Sequence, residues 1–504
     1  MPESDLADLR LPYGKRSMLM MLKNLPLSLT PRRVAFVGSL LLSLIAYLGV
    51  VTIGKDGAFY VDIARTIVDQ GVAAGAARFN WLGFPLLLAG LHQISGLSIE
   101  GLAYSVCALF MAGSCLLLVD LVARHRPQAA WWAVLVVLAV PAFNAFRGDI
   151  IREHGFWFFS VLAFWLAALW HVRGGLLLAA GVHVAVVIAV IFRLEAMVLE
   201  VALVLWLLPN VLSRAGWQQL LQFFWLPLVA VLALLLLLGG SDILSQGRVQ
   251  YFIKMLDPLQ IQQDFQVLSQ GFADSLKYDF ARDDAGKIVL MGVIGLILLS
   301  FAKLLGPFVL PLLARSGREE CTQSLRFFRP LVYAGLLYCM VLLLFFFHQQ
   351  FLNSRYTSFL HLLAVPLLAV ATYSFANHYP KWSKALAVAA MLVMLDNVVS
   401  LGAKKTHYIE AGRWLSEHYQ KTEAVFYDDP RIGYYAGWGY PAGQRLTVLD
   451  LQPEQIKQYQ IFIVEADSDE VWLNDWMARN GLRQSAQFAN RKGDAVHVIV
   501  HVQQ

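Results

Sequence analysis

The chain has 504 residues, 58% of them hydrophobic and only 15% charged, with a net charge of +5. Its mean hydropathy of +0.57 excludes a soluble globular domain, and so small a positive excess on so apolar a chain excludes a nucleic-acid partner. The four cysteines, Cys107, Cys115, Cys321 and Cys339, show no paired framework, and three lie in apolar runs, so a disulfide scaffold is excluded as well.

Uncharged runs of about 17–25 residues are long enough to cross a ~30 Å hydrocarbon core as helices, and a helix satisfies its own backbone there. The first such run covers 34–54. No short apolar segment with a cleavage site precedes it, so it reads as an anchor and not as a removed signal peptide. In chain order about eleven spans are expected, near 34–54, 99–121, 128–146, 155–172, 174–192, 196–213, 223–240, 288–312, 331–348, 357–374 and 384–402.

Basic residues sort the loops between them. The N-terminal tail carries Arg10, Lys15, Arg16, Lys23, Arg32 and Arg33. Alternate loops carry Arg124 and Arg126, then Arg173, then Arg214, then Arg315, Arg318, Arg326 and Arg329, then Lys381 and Lys384. The positive-inside rule makes these loops and the N-terminus cytoplasmic. The first outer loop (55–98), the long outer loop (241–287) and the tail from 403 then share the outer side, where the protein is expected to work. The expected domains are a membrane unit over 1–402 and an extracytoplasmic α/β domain over 403–504.

In that tail, "HYIEAGRWLSEHY" (407–419) and "DEVWLNDWMARNGL" (469–482) have helical spacing, the second stopped by Gly481. "AVFYDD" (424–429), "RLTVLD" (445–450), "YQIFIVEA" (459–466) and "AVHVIVHV" (495–502) read as strands.

Four polar groups interrupt the apolar pattern on the outer side. "GKDGAFYVDIART" (54–66) follows the first span and brings Lys55, Asp56, Tyr60 and Asp62. Its apolar spacing suggests a helix lying on the membrane surface, with 81–94 as a second. Asp56 and Asp62 also read as solvated charges or as a helix cap, and Gly57 as a sharp turn behind the acid. "FRGDIIREHGF" (146–156) gathers Arg147, Asp149, Arg152, Glu153 and His154, and a carboxylate at the membrane edge is costly unless paired. The simpler reading is a self-neutralising helix end. "FRLEA" (192–196) places Arg193 and Glu195 in an otherwise apolar stretch, a second acid–base pair or just a turn. "HQQFLNSRYTSFL" (348–360) brings His348, Arg355 and Tyr356. Arg beside an aromatic is an interfacial anchor, and it is also what holds a phosphate, because guanidinium meets phosphate oxygens as a fork. Acids beside arginines at one membrane face fit a reaction between a lipid phosphate and a hydroxyl.

The order of these segments resembles the GT-C superfamily of integral-membrane glycosyltransferases, closest in pattern to its aminoarabinose transferase and protein O-mannosyltransferase group. The segments concerned are "KDGAFYVDIA", "FNWLGFPLLLAGL", "GDIIREHGFWFF", "FRLEA" and "NSRYTSFLHLLAVPLLA", followed by the outer domain. The resemblance implies a GT-C fold, a polyprenyl-phosphate-linked sugar donor, an inverted product, and Asp56 as the catalytic residue. Asp149 or Glu153 would be the second acid. Arg152, Arg193, Arg355 and Tyr356 would hold the donor phosphate, with Lys55, Tyr60, Glu195 and His348 as further members. The acceptor would be a lipid such as lipid A, a glycan or a protein, and the location a bacterial inner membrane. Where relatives carry a second acid after the first, this chain has Gly57. No cofactor is therefore expected, and a divalent metal, were one used, would sit on Asp56, Asp149 or Glu153. An oligosaccharide polymerase or ligase is the neighbouring alternative. A transporter would instead depend on mid-span groups such as His183, Glu200, Lys303 and His361.

Overall fold

The structure, a computed structural model, describes residues 29–238, 257–399, 402–421, 424–441 and 447–502. Arg10, Lys15, Arg16 and Lys23 of the basic N-terminus, the first part of the long loop (241–256) and the start of the expected strand 445–450 lie outside the described residues.

Each expected span coincides with a helix: α1 (Pro31–Gly49) and, after the first loop, α5 (Ile99–His125), α6 (Ala130–Ala139), α7 (Glu153–Arg173), α8 (Leu176–Phe192), α9 (Val198–Leu207), α10 (Arg214–Leu238), α12 (Ala285–Leu305), α13 (Arg329–Gln349), α14 (Ser354–His378) and α15 (Pro380–Val398). Among the described residues eight helical segments are long and apolar enough to cross a membrane; Pro127–Ala139 and Leu176–Phe192 are apolar but shorter. The chain is thus an α-helical integral-membrane protein. Capping residues start several spans: Thr30 ahead of Pro31, Ser98 ahead of Ile99 and Asn353 ahead of Ser354 each accept a backbone N–H of the first turn. Span α14 is central, with 78% of its apolar window buried, whereas α10 is peripheral at 11%.

Between α1 and α5 the first loop folds as α2 (Lys55–Gln70), α3 (Val72–Arg78) and α4 (Gly83–Ser95). Its apolar side packs into the main core through Ala58, Val61, Ile63, Phe84 and Leu88. In the long loop, α11 (Pro258–Ser275) contacts α12 and α13.

The C-terminal domain holds α16 (Thr406–His418), α17 (Arg431–Tyr435) and α18 (Val471–Arg479) around strands β1 (Val425–Tyr427), β2 (Ile461–Asp467), β3 (Leu482–Ala489) and β4 (Asp494–His501). The sheet order is β1-β2-β4-β3, with β1 and β2 parallel and the rest antiparallel. Alternation along β2 sends Phe462 and Val464 toward Trp476 of α18, and Ile461 and Ile463 toward Leu415 of α16. One expectation needed correction, and one strand went unannounced. Residues 448–450 form a 3-10 turn in which Thr447 and Asp450 cap each other, not a strand: the capping side chains compete with ladder pairing. Strand β3 had no apolar alternation to announce it, because most of its residues are exposed on the sheet edge.

Candidate functional site

The four polar groups meet at one end of the bundle. Arg355, at the start of α14, contacts Asp56 of α2 through Nη1 at 2.5 Å and lies 3.1 Å from Glu153 Oε1 through Nε. Arg193, between α8 and α9, contacts Glu153 Oε1 at 2.5 Å and grips Glu195 with Nη2 and Nε, the latter at 3.2 Å. A chain of charge therefore runs Asp56–Arg355–Glu153–Arg193–Glu195. Tyr356 lies beneath it, with the Arg193 guanidinium 4.8 Å from its ring centre and that of Arg355 5.6 Å away. Glu153 and Arg193 are buried, so each needs its opposite charges: an unpaired charge there would be strongly destabilising. The Asp56 side chain stays 45% exposed, open to a substrate.

Asp149 stands beside Asp56, Glu153 and Arg355; burial, more than the two neighbouring acids, pushes its carboxyl up to about 6 against the pull of Arg355. Tyr60, one turn along α2 from Asp56, is buried and pushed up to about 12 by desolvation, with Arg152 opposing. Arg152 differs from the other arginines. It makes no ion pair among the described residues, and its Nη1 is buried without a hydrogen-bond partner. The self-neutralising pair expected of Arg152 and Asp149 does not form; each faces the assembled cluster instead.

Gly57 does not turn the chain. It is helical, and a Cβ there would meet Ile150 Cβ and Ile53 Cγ1, both at 3.0 Å. Its lack of a side chain lets α2 lie against the 149–152 segment, which brings Asp56 and Asp149 together. Asp62 is not a solvated charge either: it is buried and paired with Arg78 at 2.7 Å.

Two predicted members are engaged elsewhere. His348 Nδ1 is 2.9 Å from Asp264 of α11, and Lys55 Nζ is 3.0 Å from Asp429 of the C-terminal domain. Asp429 belongs to a group the sequence did not mark as part of the site. Tyr435 Oη accepts from Ile53 N at 2.7 Å, Arg431 Nη1 donates to Ile53 O at 3.4 Å, and Lys404 Nζ donates to Gly49 O at 2.6 Å. "YDDPR" (427–431) was the visible signal, but nothing local told what it would hold.

Among the described residues no three His, Cys, Asp or Glu side chains gather as a metal-binding set. The acids present do not fit a divalent ion, because the Arg355 guanidinium already stands between Asp56 and Glu153. At the opposite end of the bundle, Asp120 is bound by Arg32 at 2.9 Å and Arg124 at 2.6 Å, a self-contained pair network. His183 and Glu200 pair at 3.0 Å, and His361 is bonded to Phe301 O at 2.7 Å.

Fold and site define an integral-membrane helical protein with a buried acid–arginine cluster at one membrane face, next to a small α/β domain. No family model and no curated protein matches the chain. Solved structures do. A crystal structure of ArnT from Cupriavidus metallidurans bound to undecaprenyl phosphate is similar over 95% of this chain and 100% of its own, at 12% identity and TM-score 0.41. The apo form of ArnT from the same organism is similar over 94% and 99%, at 11% identity and TM-score 0.42.

Proposed function

We propose that the protein is an inverting glycosyltransferase that moves a sugar from a polyprenyl-phosphate donor to a hydroxyl at the outer membrane face. The observation that carries this is a partly open carboxylate, Asp56, in the same cluster as an arginine with a buried, unpartnered N–H, Arg152. A prenyl tail keeps the donor's phosphate at the interface, so both the base and the phosphate-holding cations must stand at that depth, fixed by rigid helix ends.

In the proposed reaction the acceptor hydroxyl oxygen attacks C1 of the sugar from the side opposite the phosphate. The C1–O bond to phosphate breaks and its electron pair leaves with the phosphate. The hydroxyl proton passes to Asp56, whose Oδ2 takes the Arg355 contact and whose Oδ1 is left to accept it. Arg152 and Arg355 face the charge that develops on the leaving phosphate. Glu153, Arg193 and Glu195 hold Arg355 and Tyr356 in place and touch neither substrate.

On this reading residues 1–402 form the catalytic membrane unit in a bacterial inner membrane, with the N-terminus cytoplasmic, and 403–504 form a periplasmic domain. Purified protein incubated with a labelled polyprenyl-phosphate sugar tests it. A transferase consumes the donor and releases polyprenyl phosphate when an acceptor is present; a donor left intact across membrane glycan, lipid A and protein acceptors would overturn the reading.

A further inference from the structure

A cavity of about 740 Å³ opens between α2 and the C-terminal domain, apart from the charge cluster. That is the size of a small-ligand site, ~300–1,000 Å³. Its wall carries four aromatic side chains, Tyr427, Tyr434, Trp438 and Tyr440, and two cations, Arg65 and Lys421. Arg78 and Asp62 also line it but neutralise each other at 2.7 Å. Arg65 gives one donor to Tyr434 Oη at 3.2 Å, and Lys421 makes no ion pair among the described residues, so against the single remaining acid, Asp69, the cavity keeps a positive excess.

The aromatic rim is fixed in place. Trp438 sits between Gly437 and Gly439, whose φ values of +72° and +93° only glycine adopts at low cost. Arg78 Nη2 donates to the Tyr440 carbonyl at 2.7 Å, which ties the rim to α3. The cavity also reaches toward the cluster. The Tyr440 ring packs on Phe59 at 5.5 Å, and Asp56 is among the charges that help to push its hydroxyl, chiefly through burial, up to about 12. Asp62 on the cavity wall is six residues from Asp56, roughly 9 Å along the helix axis at ~1.5 Å per residue.

We propose that this cavity holds the saccharide part of the acceptor, and that this saccharide is anionic. The inference rests on the transferase reading and names where its second substrate lies. Sugar rings present apolar C–H faces that pack on aromatic rings while their hydroxyls stay solvated. A phosphate or carboxylate on the sugar would meet Arg65 as a fork and Lys421 as a point charge. A hydroxyl of the bound saccharide then extends past Tyr440 toward Asp56.

The test uses the full-length protein in lipid nanodiscs and measures binding by saturation-transfer NMR. The probes are a glucosamine disaccharide 1-phosphate, a glucuronic-acid disaccharide, the neutral disaccharide and inorganic phosphate. The anionic disaccharides should bind roughly ten- to a hundredfold more tightly than the neutral one, the range of a hydrogen bond to a charged group. Trp438→Ala should weaken all three sugars, and Arg65→Ala or Lys421→Ala only the anionic ones. Preference between the first two probes separates a phosphate from a carboxylate. Equal binding of neutral and anionic sugars, or binding untouched by both Trp438→Ala and Lys421→Ala, overturns the proposal. Lys421 is exposed, so its variant tests the site without threatening the fold. Undecaprenyl phosphate binding is measured on the same samples: its absence with saccharide binding intact would sink the transferase reading and leave the cavity a saccharide site.

Discussion

Lys55 Nζ lies 3.0 Å from Asp429 Oδ2, and the Asp429 side chain has no exposed surface. The contact joins the residue before the proposed base to the core of the C-terminal domain. Arg431 also holds Asp429 Oδ2, at 2.6 Å, and, with burial opposing, keeps its carboxyl below the ordinary range. With the bonds from Tyr435, Arg431 and Lys404 to the backbone at 49 and 53, the domain grips the whole link between α1 and α2. On the proposed reading the domain positions Asp56 as well as walling the cavity.

Loosening that grip should therefore slow turnover without weakening donor binding. Lys55→Met and Tyr435→Phe are each expected to lower kcat by roughly tenfold with the donor KM unchanged, short of the ~10²-fold that a 1 Å displacement costs. Steady-state kinetics on folded, monodisperse variants read this directly; an unchanged kcat in both would remove the domain from catalysis.

Asp56→Asn should keep expression and donor binding but lose transfer by about 10²–10⁴-fold, the usual worth of a positioned base. Asp62→Asn removes half of the Arg78 pair and should act on stability, with transfer per folded molecule near normal. Transfer assays normalised to folded protein decide it, and an active Asp56→Asn enzyme would shift the base to Asp149 or Glu153.

How far the sequence told this in advance depends on the kind of information each feature carries. The spans were legible because length and hydropathy act locally, and the surface helices because apolar spacing does too. Arg355, Glu153 and Arg193 could be named as polar interruptions, but their linkage could not, since no local pattern says which carboxylate a distant arginine will reach. Gly57 was misread for the same reason: its neighbour Ile150 is distant in sequence. Strand β3 is an edge strand whose exposed residues, Arg483, Gln484 and Ser485 among them, are those of a loop. Asp429 looked like the end of a strand until the fold set Lys55 against it.

Asp149 gives a pH signature. Its carboxyl is raised from an ordinary value near ~3.9 to about 6, chiefly by burial. Between these values the folded protein holds a proton that the unfolded chain has released, so stability falls as pH rises through this window. Asp149→Asn should be more stable than the parent at pH 7 by up to roughly 2–3 kcal/mol, at about 1.4 kcal/mol per pH unit, and so melt at a higher temperature. The difference should close by about pH 4. Melting curves across pH 4–8 check it, and a gap that does not depend on pH would show that Asp149 keeps its ordinary ionisation.

On the proposed topology an odd number of crossings, expected from the basic loops, would place the N-terminus and the C-terminal domain on opposite sides. A phosphatase fused after Gln504 is expected to be active only when exported, and a fluorescent protein at the same point to stay dark in the periplasm. The reverse pattern would refute the orientation.

Arg152 and Arg193 separate phosphate holding from structure, because both are guanidinium cations and they differ in what surrounds them. Arg193 is buried and spent on Glu153 and Glu195. Arg193→Ala would leave Glu195 without its cation and buried Glu153 with Arg355 alone, a defect of up to about 3–5 kcal/mol. It should cost yield and melting temperature before any kinetic change can be read. Among the described residues Arg152 pairs with no acid and keeps Nη1 buried without a partner, a cost that a bound phosphate would remove. Arg152→Ala should therefore leave the melting temperature unchanged or slightly higher in the absence of donor. It should also abolish the stabilisation that undecaprenyl phosphate gives the parent, and raise the donor KM by roughly tenfold or more, the worth of one charge-assisted bond. Thermal shift with and without undecaprenyl phosphate resolves both effects in one experiment. If Arg152→Ala still gains the full shift while Arg355→Ala does not, the phosphate lies on Arg355 alone, and the open N–H of Arg152 serves some other ligand.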